Sequence, residues 1–477
     1  MIDMLELTVK KISALLDSGE ITSYQLVQNY LERVAKIDQS GPMLNSIIEI
    51  NPDALYIASA MDRERQQGKK RSALHGVPIV IKDNINTHDK LRTTAGSIAL
   101  ADNFAPYDAT VTKKLRDAGL IIMGKTNMTE LANYMSYTMN NGYSSRGGQV
   151  VNAYYPEGTV WGSSSGSAVA MSANLCALAI GTETDGSIIW PSYANSTVGI
   201  KPTRGLVSRH GIVPICTGQD TAGPMARTVA DCAALLNIIV GEDEFDPSTW
   251  ALADRIPEDY TAFLQENGLK GMRVGVNRGY YDELNADQIR LFENAIEAIR
   301  TCGAEIVEGV DMPRARCDSD VLLYEFKKCM NAYLSTVNTK CRTLKDMIDY
   351  YGDHPKEGLK YGMTILLDAE YNTNGNCTEP RYLLNRMAAL QKTRTEGLDR
   401  ILDGHDLDVY VSPAESDFSP ISGYPSIAVP AGYESTNMPF AIVFIGRPFS
   451  EPQLIKAAYS YEQATHMRKT PKWGTLE

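Results

Sequence analysis

The chain has 477 residues, 43% hydrophobic and 22% charged, with a formal net charge of −12. That is an ordinary globular composition, and its acidic balance excludes a basic nucleic-acid-binding face. No apolar run reaches the length of about 18 residues that a membrane span needs, and the N-terminal "MIDMLELTVKKISALLDSG" lacks a signal peptide's apolar core, so a cytoplasmic protein is expected.

In chain order, "ITSYQLVQNYLERVAKID" predicts a helix opened by Thr22 and Gln25 in capping-box spacing, with apolar residues recurring every three or four positions. "HGVPIVIKDNI" (His75–Ile85) reads as a strand buried on both faces, since Val77, Ile79, Val80 and Ile81 form a nearly unbroken apolar run. "DATVTKKLRDAGLIIMGKTN" is a helix–glycine–strand unit, with Asp108 as the expected N-cap and Gly119 as the stop. Residues 160–188 predict an apolar helix over 165–179 between two clusters of small residues. "GMRVGVN", "ADQIRLFENAIEAIRTCG" and "AEIVEG" form a strand–helix–strand unit, and "LDVYVSP" and "SIAVPAG" add two more strands. The polar, tyrosine-rich stretch 340–385 shows the least regular pattern and is expected to be a lid or insertion.

This alternation predicts an α/β fold: a single large domain with a mixed, mostly parallel twisted sheet covered by helices on both faces. No repeat or linker divides the chain, so one domain is expected over 1–477. Its core motifs lie at about 75–235, a variable region at about 240–410 and closing elements at about 408–466. The eight cysteines (Cys176, Cys216, Cys232, Cys302, Cys317, Cys329, Cys341 and Cys377) include no C-x-x-C pair and read as small hydrophobes in a reducing compartment. The six histidines show no ligand spacing, so neither a metal nor another cofactor is expected.

The chemistry concentrates in "VWGSSSGSAVAMSANLCALAIGTETDGSI" (160–188). One serine suffices to cap a helix, yet four serines and two glycines stand at 162–167. Such clusters admit close approach of a ligand or another chain. Ser187 follows Gly186, which permits a turn aiming successive backbone N–H groups at one point, so Ser187 is a candidate nucleophile. A serine hydroxyl needs a base. Neither His75 nor His210 has an obvious carboxylate partner nearby in sequence. Lys82, at the end of a buried strand, is the best base in the chain, because burial disfavours its ammonium form. The competing reading is a lysine that snorkels to solvent or pairs with Asp83.

Taken together, "HGVPIVIKDNI", "GKTNMTELA", "WGSSSGSAVA", "GTETDGSI", "GIKPTRGLVSRHGIVP", "DTAGPMARTVAD" and "GYPSIAVPAGY" resemble the amidase signature family in order and spacing, in its peptide-amidase-like branch. The resemblance implies a Ser–Ser–Lys triad: Lys82 as base, Ser163 as a bridging serine on a cis peptide bond, and Ser187 as nucleophile. It also implies an oxyanion hole from the backbone N–H groups of Thr184, Asp185, Gly186 and Ser187, with Ser164 standing one step behind the triad as a hydrogen-bond partner that holds Lys82. Two positions depart from the family's common pattern. Asp185 stands where a glycine is frequent, and Trp161 begins the serine loop, where it either packs or walls the acyl pocket.

The expected activity is hydrolysis of a linear carboxamide through a Ser187 acyl-enzyme, with C-terminal peptide amides or small primary amides as substrates. Small-molecule or peptide amides are the expected partners, with no nucleic acid and no membrane, and a homodimer is left open. Tyr137, Tyr143 and Trp190 are candidate pocket residues. Three rivals stand beside this reading. One is the glutaminase-type subunit of a tRNA-dependent amidotransferase. Another is a small-molecule kinase with a glycine-serine phosphate loop, which leaves Lys82 idle and has no Walker motif. The third is a non-catalytic scaffold.

Overall fold

A computed structural model describes residues 3–252, 255–312, 320–414 and 418–473. Helix Ser23–Arg33 opens as its sequence predicts: Thr22 Oγ1 accepts from Gln25 N, and the Gln25 side chain accepts from Thr22 N. Thirteen strands follow in chain order among the described residues: β1 (Ile47–Ile50), β2 (Pro78–Lys82), β3 (Ile121–Thr126), β4 (Tyr143–Ser144), β5 (Gly148–Gln149), β6 (Leu178–Glu183), β7 (Val198–Lys201), β8 (Thr221–Ala226), β9 (Arg273–Val276), β10 (Glu305–Val307), β11 (Val409–Ser412), β12 (Ser426–Tyr433) and β13 (Pro439–Ile445). β4 and β5 form a separate hairpin, and the other eleven join one sheet in the order β1-β3-β2-β6-β8-β7-β12-β13-β11-β9-β10.

The sheet is mixed and flanked by helices, as expected, but its balance differs from the expectation of mostly parallel pairing. β3, β2 and β6 run parallel, as do β11, β9 and β10, while the run from β6 through β8, β7, β12 and β13 to β11 is antiparallel. The connections are consistent with the difference: residues 434–438 between β12 and β13 are too few for the crossover that parallel pairing needs, and residues 202–220 between β7 and β8 hold no helix that would make one.

Three local expectations are corrected. The N-cap of helix Thr110–Asp117 is Ala109, not Asp108, whose carboxylate instead accepts from His88 N and pairs with Arg116. The helix expected over 165–179 ends at Ser172, because Asn174 takes a left-handed conformation (φ 56°) and the following apolar residues enter β6. The stretch 340–385 is largely helical, with Leu344–Asp353, Pro355–Gly358, Thr364–Tyr371 and the start of Pro380–Thr393. Of the cysteines, Cys176, Cys216, Cys232, Cys329 and Cys341 are buried and Cys302 and Cys377 partly so, all as free thiols; Cys317 lies outside the described residues.

The topology brings three strand ends to one edge. β2 and β6 are parallel neighbours, so Lys82 and Glu183 end on the same side. β8 runs antiparallel to β6 with Thr221 opposite Glu183, which delivers Asp220 to that edge as well. Helix Ser165–Ser172 packs on β2, β3, β6 and β8 and is buried along its whole length. Its small residues permit that depth: Gly166 N donates to Asn127 O at 3.0 Å, and a Cβ on Gly166 would fall 2.3 Å from both Asn127 O and Ser46 O.

Gly166→Ala is therefore expected to cost about 1–3 kcal/mol, the range for forced overpacking, seen as a lower denaturation midpoint. Gly404→Ala, in a helix where an added Cβ meets nothing within 4 Å, is the control and should leave the midpoint unchanged or raise it. Equal midpoints for the two variants would contradict the close approach.

Candidate active site

Lys82 is fully buried at the end of β2. Its Nζ lies 2.7 Å from Ser163 Oγ, 2.9 Å from Thr182 Oγ1 and 3.1 Å from Thr182 O. Among the described residues no carboxylate makes an ion pair with it. Burial, the largest influence, holds its pKa well below the ordinary 10.5, against the opposing pull of Glu183 and Asp220. The alternative partner in sequence, Asp83, faces away. It accepts from Thr94 Oγ1 and Gly96 N and pairs with Arg146 at 3.6 Å. A second fully buried lysine, Lys125, donates to Ile85 O at 2.6 Å and lies near no candidate nucleophile in its hydrogen bonding.

The peptide bond between Gly162 and Ser163 is cis. Ser163 O accepts from Thr129 N at 3.1 Å, which ties the serine loop to the segment after β3. Ser164 does not touch Lys82 directly. Its Oγ donates to Thr182 O at 3.0 Å and accepts from Thr182 N at 3.2 Å, so it reaches the lysine only through the Thr182 carbonyl that both contact.

Ser187 is 4% exposed, at the start of the turn into helix Ile189–Ala194. The two serine clusters meet through backbone: Ser164 N donates to Ser187 O at 3.2 Å. Among the described residues Ser187 Oγ makes no hydrogen bond. Gly186, at φ 73°, gives the turn its left-handed step, and a Cβ there would strike Trp190 Cδ1 at 2.3 Å. Buried Glu183 braces the far side of this turn, because its Oε2 accepts from Ile188 N at 2.7 Å and Ile189 N at 3.1 Å. Asp185 is exposed.

Sequence reasoning missed the residues that frame this cluster. Asp220 accepts from Thr184 Oγ1 at 2.5 Å, Ile215 N at 2.9 Å and Cys216 N at 3.0 Å, and burial raises its pKa to about 6. Gln219 Nε2 donates to Thr184 O at 3.1 Å, and Asn84 Nδ2 to Thr182 Oγ1 at 2.9 Å. A cavity of about 260 Å³ opens against this frame, reaching Asn84, Thr182, Glu183, Thr184, Asp220 and Ala132. Tyr137, Tyr143 and Trp190 do not line it: Tyr137 is exposed, Tyr143 packs edge-on against Tyr361, and Trp190 stacks on Trp161 at 4.9 Å.

A sequence profile of the amidase family matches residues 25–421. The chain belongs to the amidase family. This amidase is 40% identical over 485 residues to a probable amidase of Arabidopsis thaliana, covering 98% of this chain and 92% of the relative. Its structure matches that of the native peptide amidase from Stenotrophomonas maltophilia with a TM-score of 0.94 and 42% identity, over 99% of each chain. It is 31% identical to a glutamyl-tRNA(Gln) amidotransferase component of Acinetobacter baumannii, over 98% of this chain and 97% of that protein. The amidase is an amide-hydrolysing enzyme. No helix among its described residues is long and apolar enough to cross a membrane.

The brace at Glu183 is open to test. Glu183→Ala leaves the N–H groups of Ile188 and Ile189 without acceptors, at about 3 kcal/mol of stability by denaturant unfolding. Amide turnover should fall at least about tenfold as the turn loosens, and Glu183→Gln, which keeps an acceptor oxygen, should lose less of both. An alanine variant as stable and active as the parent would remove Glu183 from this role.

Proposed function

We propose that the amidase cleaves linear carboxamides through a Ser187 acyl-enzyme, with C-terminal peptide amides as the leading substrates. The observation that carries this reading is the buried contact of 2.7 Å between Lys82 Nζ and Ser163 Oγ, with no carboxylate among the described residues paired to the amine. Burial shifts this lysine toward its neutral form, which is a base. Lys82 Nζ takes the proton of Ser163 Oγ as Ser163 takes that of Ser187, and Ser187 Oγ attacks the amide carbonyl. The proton then passes back through Ser163 to the departing nitrogen, so ammonia leaves from a primary amide. Water, deprotonated through the same groups, releases the acid. The Ser163–Ser187 link is the step that bound substrate must tighten, as catalytic hydrogen bonds commonly do.

The N–H groups of Thr184, Asp185, Gly186 and Ser187 are the donors for the oxyanion, in a turn fixed by Gly186, Glu183 and Asp220. Ser164 positions Lys82 by fixing Thr182. The peptide-amide preference rests on the 42% identity to the peptide amidase from Stenotrophomonas maltophilia. A second reading, glutamine as ammonia donor, rests on the 31% identity to the amidotransferase component.

Ammonia release from amidated peptides, small primary amides and glutamine decides between them. Release from amidated peptides, reduced at least about a thousandfold in Ser187→Ala, is expected. Release from glutamine alone would favour the second reading, and substantial activity in Ser187→Ala would end the first. Because the neutral amine is the active form, log(kcat/KM) should climb with unit slope on the acid side. It should level off well below pH 10.5, the ordinary lysine value. Lys82→Ala should lose about as much activity as Ser187→Ala.

A further inference from the structure

On the reading that amidated peptides are the substrates, we propose that the site has two chambers. The inner one takes the amide-bearing residue, and the outer one takes a bulky apolar side chain two or three residues before it. The inner chamber is the cavity of about 260 Å³ against Thr182 and Thr184. A second cavity, about 430 Å³, adjoins it, and His210, Ile212, Pro214 and Thr217 stand in the walls of both.

His210 is the ridge between the chambers. Its ring stacks on Tyr107 at 5.0 Å, which faces the outer chamber, and on Phe245 at 4.8 Å, which faces the inner one. About three residues of extended chain, advancing roughly 3.4 Å each, cover the span of that stack. An extended peptide with its amide-bearing residue in the inner chamber crosses that ridge within two or three residues and lays an upstream side chain in the outer chamber.

The outer chamber's chemistry selects an apolar group. Tyr107, Tyr333, Tyr382, Ile212, Pro214 and Ala332 supply rings and aliphatic surface. Its one buried carboxylate among the described residues, Glu325, is saturated from within, by Thr217 Oγ1 at 2.7 Å, Gly218 N and Cys216 Sγ at 3.1 Å, Tyr382 OH at 2.9 Å and Arg386 at 2.6 Å. It has no capacity left to recruit a cationic substrate. The remaining charge, Lys328, is exposed.

The test compares kcat/KM, by ammonia release, for acetyl-leucinamide, acetyl-Gly-Gly-leucinamide and acetyl-Phe-Gly-leucinamide in the parent and in Ala332→Trp. Ala332 is an exposed residue of helix Asp320–Leu334 in the wall of the outer chamber, so a larger side chain there narrows the chamber without displacing core. The parent should prefer the phenylalanine peptide over the glycine peptide at least tenfold. Ala332→Trp should cut that preference below threefold and leave acetyl-leucinamide within twofold of the parent, and Ala332→Leu should fall between. No preference in the parent, a preference that survives the plug, or equal loss on acetyl-leucinamide would each overturn the two-chamber site. Failure of the underlying reading looks different: the parent would release ammonia from none of the three amides.

Discussion

The structure depends on one costly placement, a lysine amine buried at the end of a strand with no carboxylate among the described residues paired to it. Burial dominates its electrostatics, and Glu183 and Asp220 oppose it only from a distance. The sign of the consequence follows from linkage. The unfolded chain binds a proton on this lysine below about pH 10.5, whereas the folded chain binds it only below its lowered pKa. Between those two values the site costs stability, and the cost grows as pH falls. Under the proposed mechanism, that cost supplies a base able to take a serine's proton.

Everything around the amine restricts water and supplies hydroxyl and carbonyl oxygens instead. β2 is buried at all five positions, and helix Ser165–Ser172 closes the site with side chains small enough to lie against the sheet. Thr182 is the hinge of the arrangement. Its carbonyl and hydroxyl meet Lys82, its backbone pairs with Ser164 Oγ, and its hydroxyl also accepts from Asn84. The carboxylates are kept one step away, where they fix backbone: Glu183 holds the turn after Ser187, and Asp220 holds Thr184 and the loop at 215–216.

What is legible in the sequence is local. The capping box at Thr22, the buried run ending in Lys82 and the glycine before Ser187 each announce their geometry within a few residues. Asp220 does not, because it reaches the site only through the antiparallel register that sets Thr221 opposite Glu183. Ser164, expected one step behind Lys82, bonds Thr182 O and N, and the same carbonyl meets Lys82. Two misses did carry signals. Asn174 is a residue that tolerates a left-handed helix end, though its apolar surroundings masked the stop. "TLKDMIDYY" holds a capping box at Thr343 and Asp346, with Leu344, Met347, Ile348 and Tyr351 on one buried face, inside a stretch whose overall polarity suggested irregularity.

That helical region is not an appendage to the catalytic sheet edge, and one short loop shows why. Residues 215–220 give the N–H groups of Ile215 and Cys216 to Asp220 on the catalytic side. The same loop gives Thr217 Oγ1, Gly218 N and Cys216 Sγ to Glu325 on helix Asp320–Leu334, and Tyr382 and Arg386 of helix Pro380–Thr393 converge on that carboxylate from the other side. The loop cannot shift without breaking buried hydrogen bonds at one carboxylate or the other, each to a charged acceptor. Helices Asp320–Leu334 and Pro380–Thr393 therefore bear on the position of Asp220, and through Thr184 on the turn that carries the candidate nucleophile. Changes in the helices that reshape the outer walls leave Lys82 and Ser163 untouched but bear directly on how that turn is held.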